Sequence, residues 1–362
     1  MQRPPATLHR CGWERRTSVV CQLLSLLDDR DGRTIGAIEG MQGDIADKFS
    51  VEALRRGLGG VLDAPLRAQG GLGSIQVQRP LVANSRHTAS FLVCTRYERP
   101  AAMLICSPAV QPDHAERAVA RARLTREVLG AELGRVVLQP LATGWHEGLS
   151  YALWPYRIPL SNRRGVWRLQ RMRLRPCLLE WLREATRHTV REVFPSAVDD
   201  HFVAPLQSLR DDAQFSAPLR EHAAQAVHRL HNGAWKPVHV FEHNDLWKDN
   251  ILLNAPVLQS LVSTPPDGLF SIIDWWGAKA EGYGIYDLIH LAESLRLSRT
   301  QLAREVDAHC RILGCELADA RGYLLAALGW LRLNLEGFPM ERFLALAESC
   351  SRSLDTVLED SP

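Results

Sequence analysis

His243, Asp245 and Asn250 stand as H-x-D-x-x-x-x-N inside "FEHNDLWKDNILL", Phe241 to Leu253, and Asp274 ends the apolar run "SIID" 24 residues after Asn250. A carboxylate, an amide oxygen and a second carboxylate at strand junctions suit phosphoryl transfer, where a protein mainly positions groups and stabilises charge. Asp245 would accept a hydrogen bond from an acceptor hydroxyl and orient it for in-line attack on a γ-phosphate. Asn250 would offer a neutral oxygen and Asp274 a charged one, the hard donors that Mg²⁺ prefers. The bland alternative is a solvated turn leading into a strand. The chemistry requires that "ILL" and "FSIID" pair as a hairpin, so that both metal ligands arrive at one end.

The surrounding pattern supplies such elements. Residues 1–60 offer two helix candidates, Val19 to Leu27 and a segment around "SVEALRRGL", read as an extension packed on or preceding the main fold. From about 70 to 157 short β-like runs follow: "SIQVQRPLV", "TASFLVC", "AAMLICS", "RVVLQPLA" and "LSYALWPY", divided by turn signals such as "NSRH", "YERP" and "WHEG". One helix interrupts them, about Asp113 to Leu133, with Asp113 and Glu116 spaced as an acidic capping box. Beyond Tyr156 the chain turns helical, and Leu219, Ala223, Val227 and Leu230 mark one apolar face of a helix that Ser216 can cap. Four more helical patterns run from Tyr286 to the C-terminus. The expected organisation is α+β and bilobal: 1–60 an extension, 61–156 a small strand-rich lobe, 157–362 a large helix-rich lobe.

Composition narrows the partners. A net charge of +2 over 362 residues argues against nucleic acid or a membrane surface as a global partner. No apolar run approaches the roughly 18–20 residues a membrane span needs. Eight scattered cysteines without a C-x-x-C pair read as reduced thiols in a cytoplasmic protein, with neither a disulfide framework nor a zinc site. The four lysines are Lys48, Lys236, Lys248 and Lys279; nearly all positive charge is arginine.

"HNDLWKDNIL" followed by "IIDWWGAKAEGYGIYDLIHL" resembles the aminoglycoside phosphotransferase and choline kinase superfamily, which has a protein-kinase-like fold. The close match spans Val238 to Leu291. The form "HND", with Asn244 where many relatives have Gly, is similar to the choline and ethanolamine kinase branch, and "DLW" also occurs in fructosamine-kinase-like members. The resemblance implies a small-molecule kinase using ATP or GTP with Mg²⁺. Asp245 would be the catalytic carboxylate, Asn250 and Asp274 the metal ligands, and Asp287 of "YDL" the brace of the catalytic loop. "YALWPY" would enter the hinge, with the backbone of Trp154, Pro155 and Tyr156 meeting the base.

The pattern also breaks. The family's nucleotide lysine belongs on the third small-lobe strand, where "LICSP" puts Cys106, and residues 60–157 contain no lysine. Arg121 or Arg123 is the expected substitute, although Arg is bulkier and planar. The phosphate-covering loop falls either at "ANSRHTAS", which has no Gly but where Asn84 and Ser85 could present backbone N–H groups, or one strand earlier at "GGLGS", Gly70 to Ser74, which has the glycines. Two readings follow: a working phosphotransferase with a rearranged nucleotide site, or a pseudokinase acting as a binding module. For the acceptor, Arg157, Arg163, Arg164, Arg168, Arg171, Arg173 and Arg175 form either a solvated face or the lining of a cleft for an anionic or sugar-phosphate hydroxyl compound. Trp247, Trp275 and Trp276 could stack on a sugar ring. Lys248 either steadies the transferring phosphate or is a surface lysine.

Overall fold

The computed structural model describes residues 49–82, 85–256, 268–335 and 338–358. The helix expected at Val19 to Leu27 lies outside them, as does Asn84.

The small lobe is one antiparallel sheet with a helix on each face. Its strands are β1 (Leu72–Arg79), β2 (Ala89–Thr95), β3 (Pro100–Cys106), β4 (Ala142–His146) and β5 (Leu149–Pro155), in spatial order β1-β2-β3-β5-β4. Helix α1 (Val51–Asp63) opens at Ser50, whose side chain accepts from the N–H of Ala53 at 3.3 Å, and buries Leu54, Leu58 and Leu62 at four-residue spacing. These leucines join Phe91, Val93, Leu104, Cys106 and Leu153 in one core. The end of the stretch assigned to an extension therefore belongs to the small-lobe core, and α1 runs past residue 60. "RVVLQPLA" is not a strand of this sheet: Val137 makes only an isolated bridge to Ile272. Strand β4 starts later and absorbs "WH", because Glu147 (φ 48°) and Gly148 (φ 78°) turn the chain in a two-residue hairpin that needs positive φ at both positions.

Helix α2 (His114–Leu133) covers the other face. Asp113 makes no capping hydrogen bond; its carboxylate instead pairs with Arg117 at 3.1 Å. Strand residues cap the helix in its place. Ser107 Oγ accepts from the N–H of Ala115 at 2.8 Å, and Ser150 Oγ from that of Glu116 at 3.1 Å.

The large lobe contains α3 (Arg164–Thr189), α4 (Ala204–Arg210), α5 (Ala217–His231), α6 (Tyr286–Leu295), α7 (Arg299–Leu313), α8 (Leu317–Leu333) and α9 (Met340–Leu358). As expected, Ser216 Oγ accepts from the N–H of Leu219 and caps α5. Two small sheets sit at the junction of the lobes: β6 (Ile158–Pro159), β9 (Ile251–Leu253) and β10 (Phe270–Ile272) in one; β7 (Arg191–Glu192), β8 (Val238–Glu242) and β11 (Lys279–Gly282) in the other. The predicted hairpin is β9–β10, with Ile251 opposite Ile272. The architecture is α+β and bilobal.

Strand β8 ends on Glu242, which is fully buried immediately before the loop that carries Asp245. Its partner Lys279 stands opposite on β11, with Nζ 3.4 Å from Glu242 Oε2 and 3.1 Å above the centroid of Trp330. A Cβ on Gly282 would lie 2.2 Å from Glu242 Cβ, so glycine is what lets β11 approach. Burial pushes the carboxyl up and the ammonium down; the pair survives because each partner offsets part of the other's desolvation. Removing one partner leaves a buried charge. Lys279→Met is expected to lower unfolding free energy by about 3–5 kcal/mol, and Lys279→Met combined with Glu242→Gln to recover much of that loss, both read by urea unfolding.

Candidate active site

The loop between β8 and β9 bends at Asn244, which has φ 68°, a left-handed conformation that Gly or Asn adopts most readily. The bend delivers two successive N–H groups to one carboxylate: Asp287, in the first turn of α6, accepts from His243 at 2.5 Å and from Asn244 at 3.0 Å. Burial, and next the nearby Glu242, push the Asp287 carboxyl up, while the two N–H donors pull it down.

Asn250 closes the other end of the loop. Its Nδ2 group donates to the backbone oxygen of Asp245 at 2.8 Å and to Asp245 Oδ2 at 2.9 Å. With its N–H groups turned to Asp245, what Asn250 has to offer a cation is its amide oxygen. The carbonyl of Asn250 accepts from the N–H of Ile273 at 3.0 Å, so the hairpin ends register and Asp274 follows at once. Asp274 itself is left-handed, φ 63°, an uncommon conformation for a residue with a side chain. The structure thus brings Asp245, Asn250 and Asp274 to one end of the β9–β10 hairpin. An amide oxygen and a carboxylate there fit a hard divalent cation such as Mg²⁺.

His243 ties the two halves together, and its tautomer follows from its partners. The N–H of Asp245 donates to Nδ1 at 3.3 Å, so Nδ1 is bare; Nε2 carries the proton and donates to the carbonyl of Ile273 at 3.1 Å. The ring packs on Trp275, centroids 4.4 Å apart. Burial lowers its pKa to about 4, so it is a neutral strut. Spacing put His243 in the motif but gave no sign of this role, which depends on the carbonyl of Ile273 just past β10.

Between the lobes lies an apolar slot of about 100 Å³, lined by Met103 and Ile105 of β3, Ala115 and Ala122 of α2, Trp154 and Pro155 at the end of β5, Leu252, and Ile272 to Trp276. Cys106 does not face it. Side chains alternate along β3, and Cys106 points to the opposite face, buried in the α1 core. The β3 residues that meet the slot are Met103 and Ile105, neither a cation. Arg121 and Arg123 are exposed on α2 and do not line the slot; the arginine that does is Arg157, just past the hinge.

The other expected nucleotide residues divide. Trp154 lines the slot. Tyr156 does not: its N–H donates to the carbonyl of Ala101 at 2.9 Å, and its side chain packs against Leu92, Cys94 and Met103. The N–H of Ser85 is engaged by the carbonyl of Val82 at 3.1 Å. Of the three tryptophans, Trp275 is buried under His243, and Trp276 stacks on His114 at 5.0 Å with Arg117 above its ring at the mouth of the slot. Trp247 lines a cleft on the far side of the catalytic loop with Lys248, whose Nζ donates to Asn162 at 3.1 Å and to Asp249 at 2.5 Å.

Burial gives this network a pH signature. His309, fully buried on α7, likewise has its pKa lowered to about 4. Between about pH 4 and 6.5 these two histidines bind protons in the unfolded chain and not in the folded one, so their contribution to stability rises with pH there, up to about 1.4 kcal/mol per pH unit for each, and levels off above. Glu242, Asp287 and Glu293, whose carboxyls burial pushes up, oppose that rise, so the contribution is read as a difference: in urea unfolding, wild type should gain stability relative to His309→Leu by up to about 1.4 kcal/mol per pH unit between about pH 4 and 6.5. An unchanged slope in the variant would mean that His309 titrates normally.

No family model matches the chain, and no curated protein matches it in sequence. Solved structures similar to it include an ethanolamine kinase of Plasmodium vivax (TM-score 0.44, 11% identity, 84% of this chain and 87% of that one). A choline/ethanolamine kinase family protein of Mesorhizobium loti is also similar (TM-score 0.41, 15% identity, 76% and 86%). So is a choline kinase of Streptococcus pneumoniae (TM-score 0.42, 10% identity, 83% and 99%).

Proposed function

We propose that the protein is a phosphotransferase that moves the γ-phosphoryl group of ATP or GTP to a hydroxyl of a small molecule, a sugar, an amino-alcohol or an antibiotic-like compound. The observation that carries this reading is the division of labour at Asn250. Its Nδ2 holds the Asp245 carboxylate, while the β9–β10 register sets it beside Asp274 at the rim of an apolar interlobe slot.

Asp245 accepts the hydroxyl proton as the acceptor oxygen bonds to the γ-phosphorus. The bond from that phosphorus to the bridging oxygen breaks, and its electron pair leaves with the nucleoside diphosphate. Asn250 and Asp274 are the residues that would hold Mg²⁺, which when bound neutralises charge on the phosphate oxygens. His243, Asn244 and Asp287 fix the loop so that Asp245 is oriented before an acceptor arrives. Trp154 and the neighbouring apolar groups receive the base. With no lysine on β3, Arg157, which lines the slot, would be the cation for phosphate contact. Lys248 stands three residues past Asp245, toward the acceptor. Six free cysteines among the described residues fit a cytoplasmic enzyme, and none of the described helices is long and apolar enough to cross a membrane.

A second reading, a binding module without catalysis, is favoured by the apolar Met103 and Ile105 where the slot meets β3. Isothermal titration with Mg²⁺–ATP and an assay of ADP release over a panel of hydroxyl acceptors separate the two. For the phosphotransferase, Asp274→Ala abolishes Mg²⁺-dependent nucleotide binding. Asp245→Asn keeps that binding and loses about 10²–10⁴ in kcat. Nucleotide binding with no turnover on any acceptor would favour the module, and no binding at millimolar nucleotide would sink the kinase reading.

A further inference from the structure

The arginine run past the hinge is not one surface. Arg157 lines the nucleotide slot, and Arg175 donates to Gln301 of α7 at 3.2 Å. Helix α3 begins well before the apolar "CLLEW" pattern, at Arg164, and runs through Pro176. That places Arg164, Arg168 and Arg171 at i, i+4 and i+7, on one helical face.

This face borders a cleft of about 600 Å³ lined by Asn162, Arg164, Trp167, Arg168, Arg171 and Arg296. No carboxylate lines it, and among the described residues no carboxylate pairs with any of the four arginines. Asn162, Trp167 and Arg296 also line a second cleft, of about 360 Å³, whose other walls include Trp247 and Lys248, two and three residues past Asp245. The one acid in that second wall is Glu293, which burial pushes toward its neutral form and which accepts from Ser353 at 2.7 Å. Four arginines thus form a basic wall from the start of α3 to Arg296, which also faces the second cleft beside Trp247; at the far end of that cleft Lys248 is paired with Asp249.

Helix stability does not account for these charges. The first turn of α3 has no acidic residue, and Arg164 sits in it, at the positive end of the helix dipole where cations are unfavourable. An oxyanion between the arginines would relieve that repulsion, and guanidinium groups bind carboxylate or phosphate in a bidentate manner. Trp167 and Trp247 offer flat apolar faces between the two ends, suited to a sugar ring.

We propose that the acceptor is an anionic hydroxyl compound, a sugar-sized molecule bearing a phosphate or carboxylate held by Arg164, Arg168, Arg171 and Arg296 while its hydroxyl end faces Asp245. This rests on the phosphotransferase reading, and it excludes polycationic acceptors such as aminoglycosides.

The test uses the full chain and four probes: glucose 6-phosphate, galacturonate, glucose and glucosamine. Binding of each is titrated calorimetrically at low ionic strength, beside a separate Mg²⁺–ATP titration, on wild type and on the Arg168→Gln/Arg171→Gln variant. The expected result is Mg²⁺–ATP binding in both proteins and binding of at least one anionic sugar at least tenfold tighter than glucose or glucosamine. The variant should lose about tenfold or more of that affinity, and with a turning-over acceptor the loss should fall on KM rather than kcat. Preference for glucose 6-phosphate over galacturonate identifies phosphate as the anion, and the reverse identifies carboxylate. Nucleotide binding combined with equal or tighter binding of glucosamine, with no anionic binding, or with affinity unchanged in the variant overturns the anionic acceptor and leaves the kinase reading standing. Failure of Mg²⁺–ATP to bind overturns the kinase reading and the acceptor assignment with it, whatever the sugars do.

Discussion

The site hangs on one carboxylate. Asp287 takes the N–H groups of His243 and Asn244, adjacent donors that the left-handed turn at Asn244 leaves without a ladder partner. A buried pair of donors needs two acceptors at one place, and a carboxylate supplies both oxygens from a single side chain. Its seat in the first turn of α6 adds the favourable end of a helix dipole. These contributions oppose the cost of burying the charge beside Glu242, whose own burial is offset by Lys279 and, through it, by the face of Trp330. The polar loop is thus supported from beneath by a short ladder of charges inside an otherwise apolar lobe.

Above that support the loop has little freedom. Asn250 clamps Asp245 from one side, and His243 connects the Asp245 backbone to the strand end preceding Asp274. Because His243 is neutral and holds one tautomer, the connection does not change over the physiological pH range. Under the proposed reaction such rigidity would help, since the entropy of aligning Asp245 with a hydroxyl would be met during folding rather than during reaction. The two sides of the loop then differ in character. Toward the small lobe the walls are apolar and close; toward α3 they are wide and basic.

That asymmetry comes from periodicity meeting packing. Strand β3 presents Met103 and Ile105 to one face and Leu104 and Cys106 to the other. Alternation alone sorts these residues into two sets, but which set meets the interlobe slot depends on which face α1 covers. The same holds for α2. Its start is capped by Ser107, just past β3, and Ser150 of β5, 8 and 34 positions from the N–H groups they accept, and the nearer Asp113 turns to Arg117 instead.

Read alone, the sequence already held the residues of the loop and the order of elements. The spacing of His243, Asp245 and Asn250, the second carboxylate at Asp274, the β9–β10 hairpin and the amphipathic helices of the large lobe are local patterns, and local patterns survive into the fold because backbone geometry repeats over a few residues. Tertiary structure alone decided the rest. It turned Cys106 away from the slot, gave Tyr156 to the sheet, made His243 a strut, and divided one arginine run among the slot, α7 and an open cleft. Each of these depends on a partner distant in sequence, and the length of a one-dimensional pattern does not specify which distant surface a face will meet.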